Sequence, residues 1–322
     1  MTITQHLSSP LVAVVGATGG QGGSVIKALA ESDKPYRVRG FSRDVSKPAS
    51  EALKKQGVEM VQIPLVEENK KEVYQAFTGA DFTFLVTNFW EHMNVEKEIS
   101  EGKMLIDAAK AAGVRGIVWS GLPAVKKISG GKYSNVAHFD GKAVVTEYGR
   151  QSGVPFANVQ AVAMYAQNFL TNSMMLVKQP DGTNVAAFAW CIRPATVLPI
   201  IDIKNDYGLY VRRVIESPVF PDGVQVNTTS EDITVGDLVR QLSHATGKQI
   251  TIEQITAEKC HSNFTALGVP PAIATDIIEG FRFFDEFGYY GGQPSSGMDG
   301  LGRPTRSWAE FVKQADWSKV LA

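Results

Sequence analysis

Cysteine is nearly missing from this sequence, with Cys191 and Cys260 the only two in 322 residues. They cannot make a disulfide framework, a CxxC redox pair or a cysteine-based zinc site, so the reading is two free thiols in a reducing compartment. A surplus of one charge is missing as well. There are 32 Lys plus Arg against 33 Asp plus Glu, a formal net charge of −1, with no basic block. Nucleic-acid binders draw most of their affinity from phosphate neutralisation by clustered cations, so no direct nucleic-acid partner is expected. No run of about eighteen apolar residues occurs, and the opening MTITQHLSSP has neither a basic stretch nor an apolar core. The expectation is a soluble protein of the cytoplasm, or of the nucleus, without a membrane partner. Also missing are HExxH, Walker A and GxSxG patterns and any metal-spaced cluster among the five histidines. No metal is expected, and the field narrows to nucleotide chemistry.

The chain is 44% hydrophobic with 30 glycines. Its first third alternates short apolar runs with helical patterns, which makes βαβ units and a doubly wound parallel sheet. Strands are predicted over 11–15, 36–41, 58–63, 82–87 and 116–119, with a longer one over 158–164. Helices are predicted over 21–31, 139–151 and 234–245, the last opened by Thr234 and Asp237 as a capping box. The fold class is α/β, a Rossmann domain over 9–166 rejoined by part of 200–232, with a smaller α/β lobe over 167–322.

Five glycines crowd behind the first strand, in Gly16-Ala-Thr-Gly-Gly-Gln-Gly-Gly23. Gly16, Gly19 and Gly22 fit G-x-x-G-x-x-G, with Thr18 and Gln21 between them. A tight turn, close backbone approach to a pyrophosphate and a helix N-terminus all require small residues here. At the end of the second strand, where NAD binders place an acid for the ribose hydroxyl, stands Phe41-Ser42-Arg43-Asp44-Val-Ser-Lys47. Arg43 suits a bidentate pair with a 2′-phosphate and Lys47 adds a second cation, which favours NADP(H). The alternative is that Arg43 is a solvated loop cation, and Asp44 argues for that side.

Hydride chemistry also needs a proton donor. In short-chain dehydrogenases that group is the Tyr of Tyr-x-x-x-Lys, yet none of the nine tyrosines has Lys four residues on. The nearest match is His138-Phe-Asp-Gly-Lys142, which puts His138 and Lys142 on one helical face as catalytic candidates. The plainer readings are that His138 packs at a helix start and that Lys142 is a solvated helix cation.

The glycine loop, Val86-Thr-Asn-Phe-Trp-Glu91, Ser120-Gly-Leu122, Ala137-His-Phe-Asp-Gly-Lys142, Tyr165-Ala-Gln-Asn-Phe169 and Phe287-Gly-Tyr-Tyr-Gly291 together resemble the NmrA-like family, an atypical branch of the short-chain dehydrogenases. The resemblance implies an NADP(H)-binding Rossmann domain with a small lobe closing a cleft over the nicotinamide. It implies that Thr87-Asn88 lie along the cofactor, that Lys142 meets the nicotinamide ribose and that Tyr165 to Asn168 line the nicotinamide side. Relatives use the lysine of a similar Phe-x-x-Lys as a catalytic group, which Phe139 and Lys142 match. Two functions follow. One is a reductase of a small hydrophobic or aromatic substrate, which Trp90, Tyr165, Phe169, Trp190, Phe281, Phe283 and Phe284 would suit unless they are core. The other is a non-catalytic redox sensor that regulates a partner protein such as a transcription factor.

Overall fold

The computed structural model describes residues 3–162, 164–170, 176–178 and 186–321. The first half runs β1 (Leu11–Val14), α1 (Gly20–Ala30), β2 (Arg37–Ser42), α2 (Pro48–Lys55), β3 (Glu59–Gln62), α3 (Lys70–Ala76), β4 (Phe82–Leu85), the single turn α4 (Phe89–His92), α5 (Val95–Ala111), β5 (Gly116–Trp119), the single turn α6 (Val125–Ile128), α7 (Ala137–Arg150) and β6 (Phe156–Gln160). The second half is less regular. It holds β7 (Met164–Tyr165), β8 (Leu176–Lys178), β9 (Ala186–Trp190), β10 (Val197–Ile201), α8 (Tyr207–Ile215), β11 (Gln225–Asn227), β12 (Glu231–Thr234), α9 (Val235–Thr246), β13 (Ile250–Gln254), α10 (Ala257–Ala266), α11 (Pro271–Phe287) and α12 (Trp308–Gln314).

Seven strands form one sheet in the order β11-β6-β5-β4-β1-β2-β3, and every neighbouring pair is parallel. A parallel sheet is covered on both faces, and β1 divides its side chains accordingly. Val12 and Val14 point into a core with Val25, Ile26 and Leu29 of α1, whereas Ala13 and Val15 join Leu105 and Ala109 of α5 on the other face. Strand order reverses between β1 and β4, which makes their carboxyl ends the crevice where ligands of such sheets bind. Local signals bound α5: Asn94 accepts from Lys97 N at its start, and Gly113, at φ +70°, follows its last turn.

Two smaller sheets follow, β12-β10-β7 and β13-β9-β8. The single strand predicted over 158–164 is in fact two. Beyond β6 one more bond of the ladder forms, Ala161 N to Gly121 O (3.3 Å), while the Ala161 carbonyl accepts instead from the Tyr289 hydroxyl (2.9 Å), and β7 then pairs with β10. Chain from the second half also returns to the first. β11 extends the large sheet at β6, and α8 lies on α1, where Gly208 comes so close that a Cβ would stand 2.0 Å from Ser24 O. Among the described residues no helix is long and apolar enough to cross a membrane.

Candidate functional site

The glycine loop stands at the β1 end of the crevice. Gly16 has φ +67°, and its carbonyl accepts from Gly19 N at 2.8 Å. A Cβ on Gly22 would lie 2.3 Å from that carbonyl oxygen and 2.7 Å from Val15 O, so only glycine lets α1 start this close to the strand. Thr18 and Gly19 are exposed at the turn, and no side chain caps the first turn of α1. Donors at a helix start, together with the positive end of its dipole, fit a phosphate group. Gln21 looks inward instead: its Nε2 donates to the Tyr165 hydroxyl (2.8 Å) and its Oε1 accepts from Ser120 Oγ (2.6 Å). That chain ties α1 to the ends of β5 and β7. Tyr165 is half-buried, and desolvation pushes its phenol up to about 12. Asn168 sits on the 3-10 turn Ala166–Leu170 just beyond.

At the end of β2, Ser42 Oγ donates to Asp44 O (2.9 Å), bending the chain so that Arg43 and Lys47 stand in solvent. Arg43 is ion-paired with Glu91 of α4. Thr87 and Asn88 follow β4, where Asn88 is the N-terminal boundary of α4. The turn ends at Met93, the one non-glycine residue with positive φ (+50°) among those described. Such a conformation is uncommon for a side chain of this size.

Both catalytic candidates lie on α7, and each has found an acid. Lys142 is buried, and its Nζ donates to Thr87 O (2.9 Å), Thr87 Oγ1 (2.8 Å) and Glu98 Oε1 (2.8 Å). Burial draws its pKa below the usual lysine value, with the Glu98 carboxylate pulling the other way. The solvated-cation reading of Lys142 therefore fails. His138, one turn earlier, sets Nδ1 against Asp276 Oδ1 and donates its backbone N–H to Asp276 Oδ2 (3.1 Å). Its ring centroid is 5.0 Å from that of Trp90 and 5.9 Å from that of Phe89. His138 does pack at a helix start, and it is also half of a His–Asp pair at the crevice.

Glu98 and Asp276 were not singled out from the sequence, although a signal existed. Each stands on the buried stripe of its helix: Glu98 with Gly102, Leu105 and Ala109 on α5, Asp276 with Ile273, Gly280 and Phe283 on α11. An acid at a core position of an amphipathic helix needs a partner. The aromatic candidates divide unevenly. Phe169, Trp190, Phe281, Phe283 and Phe284 are core, Tyr165 is half-buried, and Trp90 is 46% exposed. The apolar surface offered at the crevice is thus much smaller than the seven aromatics suggested.

The NmrA-like family pattern matches residues 8–318. An NmrA-like family domain-containing protein of Dictyostelium discoideum is 30% identical over 316 residues, covering 96% of this chain and 99% of its own length. The NmrA-like family domain-containing oxidoreductase FrzB of Cladobotryum sp is 27% identical, over 88% of this chain and 87% of its own. Among solved structures, NmrA, a negative transcriptional regulator, in complex with NADP superposes with a TM-score of 0.75 at 24% identity over 95% of each chain. The same regulator in complex with NAD gives 0.76 at 24%, over 96% of this chain and 99% of that one.

Proposed function

The chain belongs to the NmrA-like family, and from that premise we propose that it is an NADPH-dependent reductase of a small hydrophobic or aromatic carbonyl-type substrate: a quinone, enone, imine or ketone. In this reading Gly16, Thr18, Gly19, Gln21 and Gly22 take the pyrophosphate of NADP(H). Ser42, Arg43 and Lys47 take the 2′-phosphate, and Thr87, Asn88, Tyr165 and Asn168 flank the nicotinamide half, with Lys142 at its ribose. The glycine cradle and the α1 start without a side-chain cap support the dinucleotide, as does the NADP complex of NmrA.

The observation that carries catalysis is the His138–Asp276 pair one helical turn from Lys142, at the carboxyl end of β4. An imidazole oriented by a buried carboxylate is arranged for proton transfer, which a reductase needs. The naming of FrzB as an oxidoreductase agrees with this reading. The test is loss of NADPH absorbance with 1,4-benzoquinone, cyclohexenone, a cyclic imine and acetophenone. Turnover with one of them is expected. Binding of NADPH without turnover on any of them, together with dinucleotide-dependent association with another protein, would establish the sensor instead.

A further inference from the structure

Resting on the reductase reading, we infer that His138 is the proton donor of the reaction and Asp276 its positioning residue, while Lys142 contributes charge and not a proton. An ammonium has three N–H donors and no acceptor. Those of Lys142 are matched by three acceptors, two on Thr87 and one on Glu98, in a buried site. To hand a proton to a substrate it must give up one of those three bonds.

His138 is arranged the opposite way. Asp276 is 2% exposed, and its two oxygens take the Nδ1 edge of the ring and the backbone N–H of the same residue. The first contact fixes ring rotation, and the second fixes the start of the helix that carries the ring. A carboxylate against Nδ1 fixes the ring's orientation and its tautomer. Nε2, on the opposite edge, has no hydrogen-bond partner among the described residues, and the ring leans on Phe89 and Trp90, which follow Thr87-Asn88.

Bound NADPH would supply the hydride with its electron pair. As the substrate carbonyl carbon accepts that pair, the C=O π electrons move to oxygen. The Nε2–H bond of the His138 imidazolium then breaks to deliver its proton there. Neutral His138, its Nδ1–H still on Asp276, recovers a proton from water, for which its side chain keeps 14% exposure.

Two measurements test the assignment. In cofactor-free protein, nitrogen-15 NMR of the histidine rings should find neutral His138 as the Nδ1–H tautomer and a mixture of tautomers in Asp276→Asn; an Nε2–H tautomer in the unmutated protein overturns the proposal. In turnover with whichever carbonyl probe the unmutated protein reduces, His138→Gln should lower kcat by about 100-fold, within the range of general acid catalysis. Asp276→Asn should lower kcat in the same direction and Asp276→Glu should recover part of the loss, with KM and the NADPH Kd unchanged throughout. If His138→Gln keeps its kcat while Lys142→Met loses it, the assignment falls and the reductase reading stands. An unmutated protein that reduces no probe overturns both.

Discussion

Glu98 and Lys142 close an ion pair of 2.8 Å between α5 and α7, and neither side chain is more than 11% exposed. Thr87 completes it, since its hydroxyl donates to Glu98 (2.8 Å) while accepting from Lys142. Removing one charge from such a pair leaves the other buried alone, at a cost of about 3–5 kcal/mol, whereas replacing both with apolar residues costs far less. Glu98→Ala should therefore lower urea stability by that amount, and the double variant Glu98→Leu with Lys142→Met should recover most of it. Single and double variants of equal stability would show that the pair is not coupled.

Two neighbouring glycines should answer alanine in opposite ways. Gly22→Ala drives a Cβ into the Gly16 carbonyl, and overpacking of this kind costs about 1–3 kcal/mol. It also displaces the α1 start, so NADPH binding by calorimetry should weaken by at least about 10-fold. Gly23→Ala meets nothing closer than Ala17 O at 3.4 Å and should raise the melting temperature slightly, as alanine gains about 0.5–1 kcal/mol over glycine within a helix.

Arg43 reaches Glu91 across the rim of the crevice, with 69% of its side chain still exposed. An exposed pair of this kind is worth about 0–1 kcal/mol, and hydrogen bonds to a charged group about 1.5–3, so a 2′-phosphate would win Arg43 from Glu91. Arg43→Ala should raise the NADPH Kd by about 10- to 100-fold and leave NADH binding alone. Glu91→Gln, which frees the guanidinium, should tighten NADPH by up to about 5-fold. Equal affinities for NADPH and NADH that Arg43→Ala does not change would remove Arg43 from the 2′-phosphate site.

Alkali should unfold the protein through its buried phenols. Burial pushes both Tyr165 and Tyr210 up to about 12 from a usual value of 10.0. The folded state therefore holds protons that the unfolded chain gives up more readily, and stability falls as pH rises wherever that is so. The stability tied to the neutral phenols is whole below pH 10.0 and is lost as pH climbs from there through about 12. Urea midpoints across that window should fall steeply, and Tyr165→Phe should make the fall shallower while losing the Gln21 bond.

Local signals made the first half legible. Five parallel strands and the glycine loop were placed within two residues of their observed ends because β1 is apolar throughout and Gly16, Gly19 and Gly22 punctuate the turn. What escaped was decided at long range. Nothing near Lys142 announces Glu98, which arrives through helix packing 44 residues away, and nothing near His138 announces Asp276, 138 residues on. The break after Ala161 likewise depends on Tyr289, whose hydroxyl donates to the Ala161 carbonyl, so residues that read as one apolar run became two strands in different sheets. The aromatics misled for a related reason. Phe281 and Phe284 are spaced as a helix face, and a face packed on the core looks the same in sequence as one lining a cleft.

The seam between the halves of the chain also sets the order of events during synthesis. Until Gln225–Asn227 emerges, β6 is an open edge; until Tyr207–Ile215 emerges, the back of α1 is bare, and the ring of Phe220 is not yet over Gly116, where a Cβ would sit 2.5 Å from it. At roughly 5–20 residues per second the ribosome needs several seconds to cover that distance. During that interval the nascent chain carries a finished glycine loop on an unfinished sheet, and the exposed edge of β6 is where a chaperone would have most to protect.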